Sequence, residues 1–101
     1  MNADLKKKWV SMLRSGKYKQ GFGWLRCGEN EFCANGVYLD VVNPKLWGQN
    51  IAKEWHWAEN YVFIPTAVSY KEEKVIEDMN DKKRLSFNEI ADYIEQNIEE
   101  D

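Results

Sequence analysis

With 101 residues, 44% of them hydrophobic and 14% aromatic, the chain can bury one core but not two, so a single domain over residues 1–101 is expected and a disordered polar chain is excluded. A net charge of -3 and a sequence pI near 5.2 lie below the usual footprint of duplex binders, which makes nucleic acid an unfavoured partner. No apolar run nears the roughly 20 residues of a membrane-spanning helix. Ser11, Arg14 and Lys17 also break any secretory stretch after Lys6, Lys7 and Lys8, so a soluble cytoplasmic protein away from membranes is expected.

Leu5, Trp9, Met12 and Leu13 form the stripe of an amphipathic helix over residues 3–15, with Gly16 able to take the left-handed position that ends it. Residues 16–23 carry three glycines in eight and no periodicity, which predicts a loop, and residues 24–27 read as a short strand into a turn at Gly28-Glu29-Asn30. Residues 32–42 fit either a strand or a helix, and the spacing of Phe32, Gly36 and Leu39 favours helix. Trp55-His56-Trp57 and residues 61–64, joined by three residues, are the best hairpin signal. Residues 66–70 open a helix that continues over residues 71–79, with Val75, Ile76 and Met79 on one face, and ends at an Asn80-Asp81 turn. Ser86 and Glu89 form a capping box for a final helix over residues 87–99. The elements sum to an α+β domain in which amphipathic helices at the two ends pack on a short antiparallel, aromatic-rich hairpin or sheet.

Charge is divided unevenly along the chain. Residues 1–26 hold seven basic side chains against one acid, Asp4, whereas residues 71–101 hold five against eleven. The two ends are therefore suited to pair with each other.

Two separated segments resemble a known group. Trp9, then Leu13-Arg14-Ser15-Gly16-Lys17-Tyr18-Lys19-Gln20-Gly21, Leu25-Arg26, Phe32-Cys33 and Gly36-Val37 resemble the amino-terminal signature of small uncharacterised phage and prophage proteins. Met79-Asn80-Asp81 followed by residues 85–95 resembles their carboxy-terminal signature, and Ile64-Pro65 with Val68 resembles a Leu-Pro segment between the two. Members often carry a second cysteine after the one matching Cys33, where this chain has Ala34. The resemblance implies a phage-encoded protein acting in the host cytoplasm, with a host protein as a plausible target.

Three constellations carry chemistry. Arg14, Lys17, Lys19 and Arg26 surround Gly16, Gly21 and Gly23, and glycine amides with cationic side chains are suited to an anion such as phosphate. Tyr18, Phe22 and Trp24 stand beside them as rings for a flat ligand. Cys33, at the possible start of a helix, and His56 supply the thiol and imidazole of a cysteine hydrolase. Trp47, Trp55, Trp57 and Tyr61 add a second aromatic surface. In each case the plainer reading is a solvated loop, a buried thiol or core rings.

The expected function is a non-enzymatic binding module for a small anionic, nucleotide-like ligand or a host protein. Arg14, Lys17, Lys19 and Arg26 would hold the charge, while Tyr18, Trp24, Trp55 and Trp57 line the ligand. The alternatives are a hydrolase using Cys33 and His56 and a plain protein-interaction domain. No cofactor is expected, and Cys27, Cys33 and the single histidine make a metal site improbable.

Overall fold

The structure is a computed structural model and describes residues 1–42 and 69–100. Trp47, Trp55, His56, Trp57, Tyr61 and the hairpin expected around them lie outside the described residues, as do Ile64-Pro65 and residues 66–68. Helix α1 is Ala3–Arg14. Strands β1 (Lys19–Gln20), β2 (Arg26–Gly28) and β3 (Glu31–Phe32) follow, then helices α2 (Ala34–Val42), α3 (Tyr70–Asp81) and α4 (Phe87–Asn97). The fold class is α+β, and the first and last helices pack together.

Helix α1 begins where the Asn2 side chain accepts the Asp4 and Leu5 amides, at 2.8 and 3.1 Å. It ends as Gly16 turns left-handed at φ 78°. Its apolar stripe delivers Trp9, Val10 and Leu13 to the core, where Trp9 is fully enclosed. The indole donates to the Ala34 carbonyl at 2.9 Å and packs at 4.9 Å between centroids against Tyr38. The expected capping box at Ser86 and Glu89 is present. It starts α4, which buries Phe87, Ile90, Ala91 and Ile94, with Ile98 just beyond.

The seam between α1 and α4 is closed by charge, as the uneven distribution along the chain predicts. Lys6 Nζ donates to the carbonyls of Ile98 and Glu95, at 2.6 and 3.1 Å, so a buried lysine of the first helix satisfies the orphan carbonyls ending the last. The amino terminus donates to the Glu99 carbonyl at 2.8 Å. Arg14 bonds Asp92 and grips Glu95 through both carboxylate oxygens at 3.3 Å.

Residues 32–42 resolve as β3 followed by α2, agreeing with the helix reading. The ambiguity has a physical cause: Ala34, Asn35, Gly36, Val37, Tyr38 and Leu39 are all buried, and a helix enclosed on every side carries no polar period. Gly36 is needed there, since a Cβ would lie 1.8 Å from the Leu25 carbonyl oxygen.

Five expectations need correction. Residues 16–23 are not all loop, because Lys19 and Gln20 pair in parallel with Glu31 and Phe32, held by ladder bonds rather than by any apolar period. The second strand begins at Arg26 instead of Trp24 and shifts register across Cys27. The sheet, ordered β1-β3-β2, is therefore mixed rather than wholly antiparallel. Asn80 and Asp81 belong to α3 rather than a turn, while α4 stops at Asn97, two residues early, with Ile98 extended.

Candidate functional site

The element that stands out from this scaffold is the segment between β1 and β2, residues 21–25, because it combines a tight anchor with an exposed tip. The anchor is Asn80, 1% exposed, whose amide makes every hydrogen bond open to it. Its Oδ1 accepts from Gln20 Nε2 at 2.9 Å and from the Ala34 amide at 3.2 Å, and its Nδ2 donates to the Gly21 carbonyl at 2.9 Å and to Asp81 Oδ1 at 2.8 Å. Gln20 Nε2 also donates to the Leu85 carbonyl at 2.7 Å. One buried asparagine thus ties β1, the start of α2 and the end of α3 to a single point.

The loop leaves that point in a fixed direction. The Gly21 amide donates to the Phe32 carbonyl at 2.8 Å, and the Gly23 amide donates to Asp81 Oδ1 at 3.0 Å. Gly23 is left-handed at φ 86°, and the Leu25 carbonyl accepts from the Cys33 amide at 3.1 Å. Between these ties Phe22 and Trp24 remain 36% and 45% exposed, the large hydrophobic side chains that the described residues leave at the surface. Arg84, from the turn after α3, places its guanidinium carbon 4.3 Å from the Phe22 ring centroid.

The four cations expected to converge are not brought together. Arg14 faces α4 and is held by Asp92 and Glu95, whose carboxylates raise its pKa. Arg26 curls over its own hairpin, donating to the carbonyls of Gly28 and Glu29 at 3.0 and 2.7 Å, with its guanidinium 4.9 Å from the centre of the Phe32 ring. Lys17 and Lys19 are exposed. Tyr18 points inward: its hydroxyl donates to Asp40 at 2.5 Å and its ring meets Phe32 edge-on at 5.0 Å. Burial and that carboxylate hold its phenol well above the usual range.

Cys33 does not have the lowered pKa expected of a thiol at a helix start. It is 5% exposed, and burial pushes the thiol up from an ordinary 9.0 to about 12. Its sulfur accepts the Gly36 amide at 3.3 Å, a capping contact inside the core. Cys27 also has its pKa raised, chiefly by burial. Both thiols are free, and among the described residues no three His, Cys, Asp or Glu side chains converge as metal ligands. No described helix is long and apolar enough to cross a membrane.

Two clefts bear on ligand size. A groove of about 450 Å³ runs between α1 and α4, lined by Lys6, Lys7, Val10, Arg14, Glu95 and Glu100. It could admit a small molecule, yet it holds no ring to stack on, and Lys6 and Arg14 are already engaged. The cleft beside Trp24, lined by Leu25, Cys33 and Asn35 and by the acids Glu77 and Asp81, measures about 60 Å³. That is far below the roughly 300–1,000 Å³ of small-molecule sites.

Sequence reasoning missed Asn80, Asp81, Gln20 and Arg84. The first two were legible only as a turn dipeptide, although an asparagine inside a helical pattern, where its intrinsic propensity is poor, hints at a tertiary duty. Lys82-Lys83-Arg84 entered only as charge.

No solved structure and no curated protein matches the chain. A family model described as a domain of unknown function, DUF8296, matches residues 1–73, which takes in α1, the three strands, α2 and the start of α3. The chain belongs to the DUF8296 family.

Proposed function

We propose that the chain is a non-enzymatic binding module whose contact element is the aromatic loop Phe22-Gly23-Trp24, and that its partner is a protein. The observation that carries this reading is the exposure of two large rings on a segment whose backbone is tied down on both sides. A ring presented from a rigid segment loses little entropy on binding, and tryptophan and arginine are the residue types that concentrate binding energy. A nucleotide-like ligand is less well served. The cleft at Trp24 is too small, and the cations expected to grip it are divided between α4 and the β2–β3 hairpin. A hydrolase built on Cys33 is served worse still, since an enclosed thiol with a pKa of about 12 is protonated at neutral pH.

Two free cysteines suit a reducing cytoplasm. The resemblance to phage and prophage proteins would make that cytoplasm the host's, and the partner a host protein. The test is selection of a random peptide display library on the immobilised full chain. Peptides are expected to be enriched that lose binding to Trp24→Ala and to Phe22→Ala. Enrichment untouched by both changes, or none at all, sinks the reading.

A further inference from the structure

We propose that the partner segment recognised by the aromatic loop is acidic, carrying carboxylates for Arg84 and Lys83 and an apolar side chain to cover Trp24. The inference rests on the loop being a binding element and adds the chemistry of what it binds.

The first observation is the backbone of Arg84, which is left-handed at φ 52° and is the non-glycine residue with positive φ among those described. Glycine is the residue that takes this conformation without strain, whereas a side chain there crowds the backbone. The turn itself is well made, since the Lys82 and Lys83 amides both donate to the Asp78 carbonyl, and the Leu85 amide donates to Met79. What the arginine adds is its guanidinium, whose carbon lies 4.3 Å from the centre of the Phe22 ring. A guanidinium carries five N–H donors in one plane, a fork that can grip a carboxylate through two bonds.

The second observation is that this charge is not neutralised from within. Lys6, Arg14, Lys74 and Lys82 each have a carboxylate of the same chain within 4.0 Å, but among the described residues Lys83 and Arg84 have none. Asp81, next in sequence, spends its Oδ1 on the Gly23 amide and on Asn80. Asp78 is given to Lys82 at 3.6 Å, and the Lys82 side chain is itself 80% exposed. Arg84 on the Phe22 ring, with Lys83 next to it in sequence, makes the cationic side of this surface patch, whereas the cleft at Trp24 is lined by Glu77 and Asp81; its complement is a segment whose carboxylates face Arg84 and whose apolar side chain, not an acid, covers Trp24. A nucleic-acid strand offers negative charge and flat rings as well. It would, however, have to run on from the patch across a chain of net charge -3 whose α3 and α4 are acid-rich, whereas a short peptide need cover only the patch.

The measurement is fluorescence anisotropy of a short fluorescein-labelled peptide with glutamates and aspartates around one leucine, titrated with the full chain. Saturable binding is expected, weakened about tenfold by Arg84→Glu, by Trp24→Ala and by high salt, with no binding of the same peptide bearing lysines. Arg84→Gly relieves the left-handed strain, so it should fold at least as stably while still losing affinity, which separates contact loss from misfolding. Binding that needs Trp24 but ignores Arg84→Glu, or accepts the lysine peptide equally, overturns the acidic partner and leaves the aromatic loop standing. Absence of any Trp24-dependent peptide overturns both, and preference for single-stranded oligothymidine over the acidic peptide overturns the assignment to a protein segment.

Discussion

Two regions hold this molecule together by opposite means. The knot around Asn80 uses a neutral amide, buried to 1% exposure, with all its hydrogen bonds made inside the protein. The seam between α1 and α4 uses ions at graded depths, from the buried Lys6 to Arg14, whose guanidinium lies in reach of solvent with Asp92 and Glu95 more exposed still. The difference teaches where specificity is set. A buried neutral network is costly to leave incomplete, so it fixes one arrangement. An exposed ion pair contributes little and yields to salt. The loop presenting Phe22 and Trp24 hangs from the knot, which places the proposed contact element on the stiffer of the two devices.

Breaking the knot should have the largest effect. Asn80→Ala leaves the Ala34 amide and the Gly21 carbonyl without partners in the interior and is expected to cost about 3 kcal/mol, read as a lowered urea midpoint at unchanged slope. Raising the salt concentration should not alter that loss. Next comes Lys6→Met, which keeps the buried stem but removes the donors to Ile98 and Glu95. It is expected to cost about 2 kcal/mol, and hydrogen exchange should quicken at the end of α4 before it does elsewhere.

A smaller effect should appear on the alkaline side. Unfolded Cys33 gives up its proton near pH 9, whereas the folded thiol keeps it until about 12. Between those values the unfolded chain binds fewer protons, so stability falls as pH rises, by on the order of 1 kcal/mol at about pH 10. Cys33→Ala should flatten that slope; a slope the same as the parent's would mean that the thiol is not enclosed as described. The smallest loss belongs to Arg14→Ala. It should be a slight destabilisation at low salt that vanishes at high salt, and if it exceeded that of Lys6→Met the contrast between the depths of the seam would fail.

Much of the frame is legible in the sequence, and the reasons are local. Ser86 and Glu89 lie three apart before an apolar helical stripe, and that spacing alone makes the cap of α4. Leu5, Trp9 and Leu13 share a helical face with no help from the rest of the chain, and the opposite charges of the two ends pointed to their pairing, though not to Arg14, read as a ligand residue, as the cation that meets Asp92 and Glu95. The candidate site was less legible. Arg14, Lys17, Lys19 and Arg26 are neighbours in sequence, and a run of cations carries no record of which carboxylate or carbonyl each one will meet. Trp24 was singled out from its type and position, and the structure leaves it exposed; Tyr18, equally aromatic and two residues from a glycine-rich turn, points inward to Asp40.

By itself the sequence determined the α+β class, the amphipathic end helices and their caps, because periodicity and capping act over one or two turns of chain. Tertiary structure alone decided that α2 would be enclosed all round from Ala34 to Leu39, and that two residues of a glycine-rich loop would join a sheet. It also decided that Asn80 would bind segments about 60 positions away in the chain. Such contacts depend on partners that no local pattern encodes, since a buried polar group is satisfied by whichever donor or acceptor the completed core brings to it.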